Sequence, residues 1–103
     1  MACPTDCSSC DSSLSVAVTG FTGSCSGLNG TYTFVKNGCI WTGLPTVWGF
    51  LACDGDKWKL TVGPGSAGGE GEKDNEDGCP ATGLYELTGI GSCVGQSPEA
   101  SIS

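Results

Sequence analysis

Apolar and polar residues alternate along much of this chain with a period of two, the signature of half-buried β-strands. From Ser13 to Phe21, Leu14, Val16 and Val18 fall on one face, and Ser13, Ser15, Ala17 and Thr19 on the other. Thr31 to Val35 repeats the pattern with Tyr32 and Phe34. Lys36-Asn37-Gly38 follows, and Asn-Gly between alternating runs is a strong hairpin signal. The returning strand is Cys39 to Thr42, carrying Ile40 and Trp41, and Leu44-Pro45 ends it. Val47 to Cys53 is apolar enough to predict a fully buried strand. Asp54-Gly55 turns the chain, and Trp58, Leu60 and Val62 then alternate with Lys57, Lys59 and Thr61. Leu84 to Thr88 and Ala100 to Ser103 are two further short strands. Gly20 to Gly30 reads as a turn-rich stretch around Cys25.

Two segments lack this rhythm. Residues 1–12 form a Cys-, Ser- and Asp-rich arm holding Cys3, Cys7 and Cys10. Residues 63–78 hold five Gly between Gly63 and Gly71, then five acidic residues between Glu70 and Asp77. They predict a flexible, solvated Gly/acidic loop, long enough to be functional. Nothing longer than a turn has helical periodicity. The expected organisation is therefore an N-terminal arm over 1–12 and a single β domain over 13–103. The fold class is all-β, a small disulfide-stapled antiparallel β-sandwich or barrel.

One internal echo runs through the chain. Val18-Thr19-Gly20-Phe21-Thr22-Gly23-Ser24-Cys25 resembles Leu87-Thr88-Gly89-Ile90-Gly91-Ser92-Cys93 with one residue deleted. Each copy is a strand end running into a Gly-Ser-Cys turn. The two copies predict equivalent corners of the fold, though turns rich in Gly, Ser and Thr also match by chance.

Composition adds a constraint on stability. The chain has 103 residues, 18 of them Gly, and few large apolar side chains. Ordering so much glycine is entropically costly, so covalent help is expected from the eight cysteines, at about 2–4 kcal/mol per bridge. These are Cys3, Cys7, Cys10, Cys25, Cys39, Cys53, Cys79 and Cys93. Cys7-Ser8-Ser9-Cys10 has the spacing of a zinc half-site. The remaining cysteines offer no second close pair, and the chain has no His. Disulfides are the stronger reading, with connectivity open.

Charge and chemistry exclude several function classes. A net charge of −7, from eleven acidic residues against four Lys, opposes nucleic acid and anionic membranes. It leaves room for a cationic partner. No apolar run approaches the ~20 residues of a membrane span. Without His, no Ser–His–Asp or Cys–His catalytic arrangement can form. The carboxylates that could serve a glycosidase lie mostly in the acidic loop or at turns. No enzyme activity and no cofactor are expected. The weaker metal reading is Ca²⁺ on Asp54, Asp56, Glu70, Glu72 and Asp74, which match no EF-hand order. Among Trp41, Trp48 and Trp58, Trp48 beside Gly49 is the best candidate for an exposed ligand platform. The other two read as core. Asn29-Gly30-Thr31 is a glycosylation sequon and also a turn before a strand.

Several motifs resemble a known kind of module: Cys25-Ser26-Gly27-Leu28-Asn29-Gly30-Thr31-Tyr32, then Cys39-Ile40-Trp41, then Trp58-Lys59-Leu60-Thr61-Val62, then Cys79-Pro80 and Gly83-Leu84-Tyr85-Glu86-Leu87. In this order they resemble cysteine-rich β modules of bacteriophage structural proteins and of bacterial surface proteins. The resemblance implies a structural or adhesive role and assigns no binding residue. Met1-Ala2-Cys3-Pro4 carries no basic or apolar leader. Either a leader was removed, or the chain is oxidised after release, as in a virus particle freed by lysis. The leading expectation is a non-enzymatic virion protein: a capsid decoration or cement protein, or a tail accessory. Its partners would be capsid or other virion proteins, with self-association into an oligomer. The arm and the Gly-rich loop are expected to reach over neighbouring subunits. The alternative is an extracellular carbohydrate-binding or adhesion module using Trp48, with Ca²⁺ in the acidic loop. A third reading is a zinc-dependent interaction module.

Overall fold

A computed structural model describes residues 3–44, 49–64, 66–76 and 78–103. Nine strands account for most of them. They are β1 Ser13–Thr19, β2 Gly30–Asn37, β3 Ile40–Leu44, β4 Gly49–Asp54, β5 Lys57–Val62, β6 Ala67–Asp74, β7 Gly83–Glu86, β8 Thr88–Gly91 and β9 Glu99–Ile102. All pairings are antiparallel, in the order β7-β9-β1-β2-β3-β4-β5-β6-β8.

The two ends of that order nearly meet. Only Leu87 separates β7 from β8, and the alternation runs through it unbroken: Tyr85, Leu87 and Gly89 are buried, while Leu84, Glu86 and Thr88 are exposed. The first half of this segment pairs with β9 and the second half with β6. Leu87 N donates to Pro98 O at 2.9 Å and Gly89 N to Gln96 O at 3.0 Å, extending the pairing toward the β8–β9 turn. The sheet is thus a nearly closed up-and-down barrel in sequence order, with β9 beside β1 completing the ring. Closure removes most of the exposed edges an open sheet would present.

Inward-facing residues fill the barrel, as expected at this strand number. Val16, Val18, Phe34, Trp41, Leu51, Trp58, Leu60, Tyr85, Ala100 and Ile102 are all buried. Trp41 and Trp58 pack edge to face at 5.8 Å between ring centroids. Each indole N–H has an acceptor: Asp11 O for Trp41 at 3.0 Å, and Asn75 Oδ1 for Trp58 at 3.1 Å. Both tryptophans are therefore core, as the alternation with Leu60 and Val62 predicts for Trp58.

The hairpins lie where the turn residues place them, shifted by one position at the corner. Asn37 pairs with Ile40 and Asp54 with Lys57, so the corners are Gly38-Cys39 and Gly55-Asp56. Both glycines have φ of 68°, and Gly leading a two-residue corner matches the twist of the flanking strands.

Several expectations are corrected. Residues 63–78 are not one long loop: β6 occupies Ala67–Asp74 between β5 and β8. Its wall is built by carboxylates outside and almost nothing inside. The inward positions Gly69 and Gly71 lie under side chains from other elements. A Cβ on Gly69 would sit 3.2 Å from Phe21 Cζ and 3.4 Å from Leu87 Cβ. Val47 to Cys53 is not a fully buried strand either. β4 begins at Gly49 and alternates, with Leu51 buried and Phe50 45% exposed. The positions Val47 and Trp48 lie outside the described residues. The first strand stops at Thr19, and the stretch around Cys25 winds into a short 3-10 helix, Gly23–Leu28.

All eight cysteines are paired, as Cys3–Cys53, Cys7–Cys39, Cys10–Cys79 and Cys25–Cys93. Cys7 and Cys10 go to different partners, so the C-x2-C spacing is not used as a unit. Three of the bridges tie the N-terminal arm across one end of the barrel. Lys36 Nζ donates to Cys7 O and Cys10 O, both at 3.0 Å, and holds the arm from beneath. The arm is thus tied to its own barrel through Cys3, Cys7 and Cys10. The fourth bridge closes the opposite end.

Candidate functional site

With the interior filled and disulfides at both ends, the chemistry the barrel can offer is on its outer wall. Along that wall the exposed side chains of β4, β5, β6 and the β7–β8 segment form a groove of about 770 Å³. It is lined by Phe50, Lys59, Thr61, Glu70, Glu72, Leu84, Glu86 and Thr88, with Gly71 between. Strand register explains the grouping. Phe50 pairs with Thr61, Thr61 with Glu70, and Glu70 with Thr88, so these four form one row across the wall. Lys59 and Glu72 form part of the next row. Beyond Glu70 the β6–β8 ladder stops, and β7 pairs only with β9. The groove overlies this seam.

Phe50 and Leu84 are 45% and 49% exposed; Val35, Ile40 and Val94 are exposed as well, but they do not line this groove. Phe50 and Leu84 mark the two sides of the groove. Between them lie three carboxylates, Glu70, Glu72 and Glu86. None of the three makes an ion pair or hydrogen bond among the described residues.

The lysines, by contrast, are all engaged. Lys36 holds the arm. Lys57 Nζ donates to Asp74 Oδ1 at 2.6 Å, and Lys59 Nζ to Asp54 Oδ2 at 3.3 Å. Lys73 Nζ donates to Thr82 O at 3.2 Å and sits 5.6 Å from the Tyr85 ring centre. The hydrogen bond from Lys57 lowers the Asp74 carboxyl below its ordinary range, and the same contact raises Lys57.

The Ca²⁺ candidates are not brought together. Asp54 and Asp74 each face a lysine, and no group of three metal-ligating side chains converges among the described residues. Glu70 and Glu72 share the outer face of β6 with Asp74, spread along the strand rather than folded around a point. Asp56 lies at the β4–β5 corner, where its carbonyl accepts from Asn75 N at 2.8 Å. The sequon residue Asn29 uses its side chain locally: Oδ1 accepts from Phe21 N at 3.0 Å and Nδ2 donates to Phe21 O at 2.9 Å. Trp48, the ligand candidate, lies outside the described residues.

Phe50 and Leu84 are the site residues that sequence reading missed. Phe50 was hidden inside an apolar run, although its neighbours Thr42 and Thr61 belong to an outward row. Leu84 is recognisable only once Tyr85 is known to point inward. Compared with protein-family models, with curated proteins and with solved structures, the chain gives no match.

Proposed function

We propose that the protein is a non-enzymatic structural component that works by protein–protein contact: a decoration or cement protein on the outside of a virus particle. The observation that carries this reading is the filled barrel with disulfide bridges at both ends. Such a body holds no small molecule inside and keeps its shape while its wall makes the contacts. Four disulfides suit an oxidising setting outside the cell. The acidic surface disfavours nucleic acid as the partner.

The test is the protein content of purified particles from the organism that encodes the chain. The reading expects the protein in fixed ratio to a major capsid or tail component. It expects particles lacking the protein to lose integrity at lower temperature and to regain it when purified protein is added back. Particles without the chain, and no binding to them on addition, would overturn it.

A second reading is an extracellular carbohydrate-binding module. The exposed Phe50 ring beside Thr61 favours it, since an aromatic face can stack on a sugar ring. Binding on a glycan array that Phe50→Ala abolishes would support this alternative; a flat array would remove it.

A further inference from the structure

We propose that the groove between Phe50 and Leu84 is the contact site itself, and that it takes an extended segment of a protein partner carrying Lys or Arg beside apolar residues. The proposal rests on the protein–protein reading above and gives that contact a location and a chemistry.

Three observations on the wall converge on this occupant. Phe50 and Leu84 expose apolar surface on the two sides of one groove. Each offers an apolar anchor point that a partner could cover. Between them lie Glu70, Glu72 and Glu86, none in an ion pair among the described residues; one lysine, Lys59, lines the same groove opposite Glu72. Every lysine of the chain is already engaged, at the arm, at Asp74, at Asp54, or at Thr82 and Tyr85. Lys59 offsets one of the three glutamates at most, so the groove keeps a net negative charge. Solvent ions can balance it in the free protein, but a docked partner that expels them must bring its own cations, because buried charges need partners. A neutral sugar would desolvate three carboxylates without neutralising them, and a phosphate-bearing partner would be repelled. An extended peptide fits because alternate side chains of a strand point the same way. Side chains at i, i+2 and i+4 share the face turned to the wall, so a cation at i+2 can meet the glutamates while apolar residues at i and i+4 cover Phe50 and Leu84.

The experiment is a titration of the isotope-labelled, fully oxidised protein with a short peptide carrying leucine, arginine and leucine at successive second positions, with serine between them. A glutamate–leucine peptide serves as the control, and backbone amide shifts are read by NMR. The expected result is a set of shifts confined to Phe50, Thr61, Glu70, Leu84, Glu86 and Thr88, absent with the control peptide. Phe50→Ser with Leu84→Ser should weaken binding about tenfold, as loss of a central apolar anchor does. Glu70→Gln with Glu86→Gln should weaken it comparably and flatten its salt dependence. All four side chains are exposed, so amide spectra of the free variants should stay close to the parent. Shifts scattered over the whole acidic surface, or equal binding of the control peptide, would overturn the site. So would a neutral oligosaccharide that moves these amides when the cationic peptide does not. The same variants separate the two levels of the argument. Particle binding that survives all four substitutions rejects the groove and leaves the structural role standing. Peptide binding in the groove with no particle binding rejects the virion role and leaves the groove standing.

Discussion

Cys25 and Cys93 are joined by a disulfide across 68 residues, and each is the last residue of the same Gly-Ser-Cys turn. The two turns match in detail. Gly23 and Gly91 both have φ of 61°. Cys25 N donates to Thr22 O and Cys93 N to Ile90 O, each at 3.1 Å. The Gln96 side chain stitches the pair further, accepting from Thr22 N at 2.8 Å and donating to Thr22 O at 3.2 Å. The echo seen in the sequence is therefore a matched pair of corners bonded to one another.

Removing this bridge should cost more stability than any surface change. A loop of this length restricts the unfolded chain by about 4 kcal/mol on the chain-entropy picture. The three other bridges already constrain the same unfolded chain, so the double variant Cys25→Ala/Cys93→Ala should lose about 2–4 kcal/mol. Urea unfolding under non-reducing conditions measures it. A loss well under 1 kcal/mol would mean the hydrogen-bonded turns hold that end without the bridge.

Asn75 is the buried polar residue on which the tryptophan pair depends. Its Oδ1 accepts from Trp58 Nε1 and from Gly78 N, each at 3.1 Å. Asn75→Ala leaves the indole N–H without that acceptor in a buried site, at a cost of about 1–3 kcal/mol. Trp58→Phe removes the donor together with packing volume. In a double-mutant cycle the two changes should couple, the second costing less once the first is made. Strict additivity would show that the indole hydrogen bond contributes nothing net.

The sequence made some parts of this wall legible and concealed others for identifiable reasons. β1 and β5 were readable because Leu14, Val16 and Val18, and Trp58, Leu60 and Val62, carry enough apolar bulk to display the period. β6 was not, because its inward positions are Gly69 and Gly71. The volume they leave is filled from elsewhere, by Phe21, Leu87 and Pro98. A strand whose buried face is glycine and whose outer face is Glu70, Glu72 and Asp74 has the composition of a loop. The disulfide partners were hidden because pairing is decided by which strand ends share a barrel end, and that depends on the closure through Leu87. The groove was illegible for the same reason: Phe50 and Leu84 face each other only after β6 is placed between β5 and β8.

Tyr85 should resist ionisation until the barrel opens. Tyr85 OH donates to Ala81 O at 2.8 Å and Tyr32 OH to Leu28 O at 2.7 Å, the same four-residue step back along the chain. Burial raises both phenols above 10.0, Tyr85 by far the more. The folded state then holds its phenolic protons more tightly than the unfolded chain does. Stability from this source is fully present below about pH 10 and falls as pH rises beyond it. An ultraviolet titration should show tyrosinate from Tyr85 appearing together with loss of the near-ultraviolet dichroism of the tryptophans. Ionisation of both tyrosines near pH 10 with the fold intact would contradict this.

Gly71 tests the claim that β6 is a strand with an empty inner face. A Cβ there would run into Glu86 O and come within 2.9 Å of Leu87 Cδ2. The obstacle is a backbone carbonyl of the closing segment, which cannot move aside as a flexible side chain would. Gly71→Ala should therefore push β6 from β7 and cost about 1–3 kcal/mol by overpacking. The control is Gly27→Ala, in the 3-10 helix, where an added Cβ meets nothing within 4 Å and φ is not positive. That change restricts the unfolded chain more than the folded one, so it should be neutral or stabilising by up to about 1 kcal/mol. Thermal melts of the two variants side by side compare the sites directly. If residues 63–78 were a solvated loop, both substitutions would be equally harmless. A large cost at Gly71 alone is the outcome that a closed barrel requires.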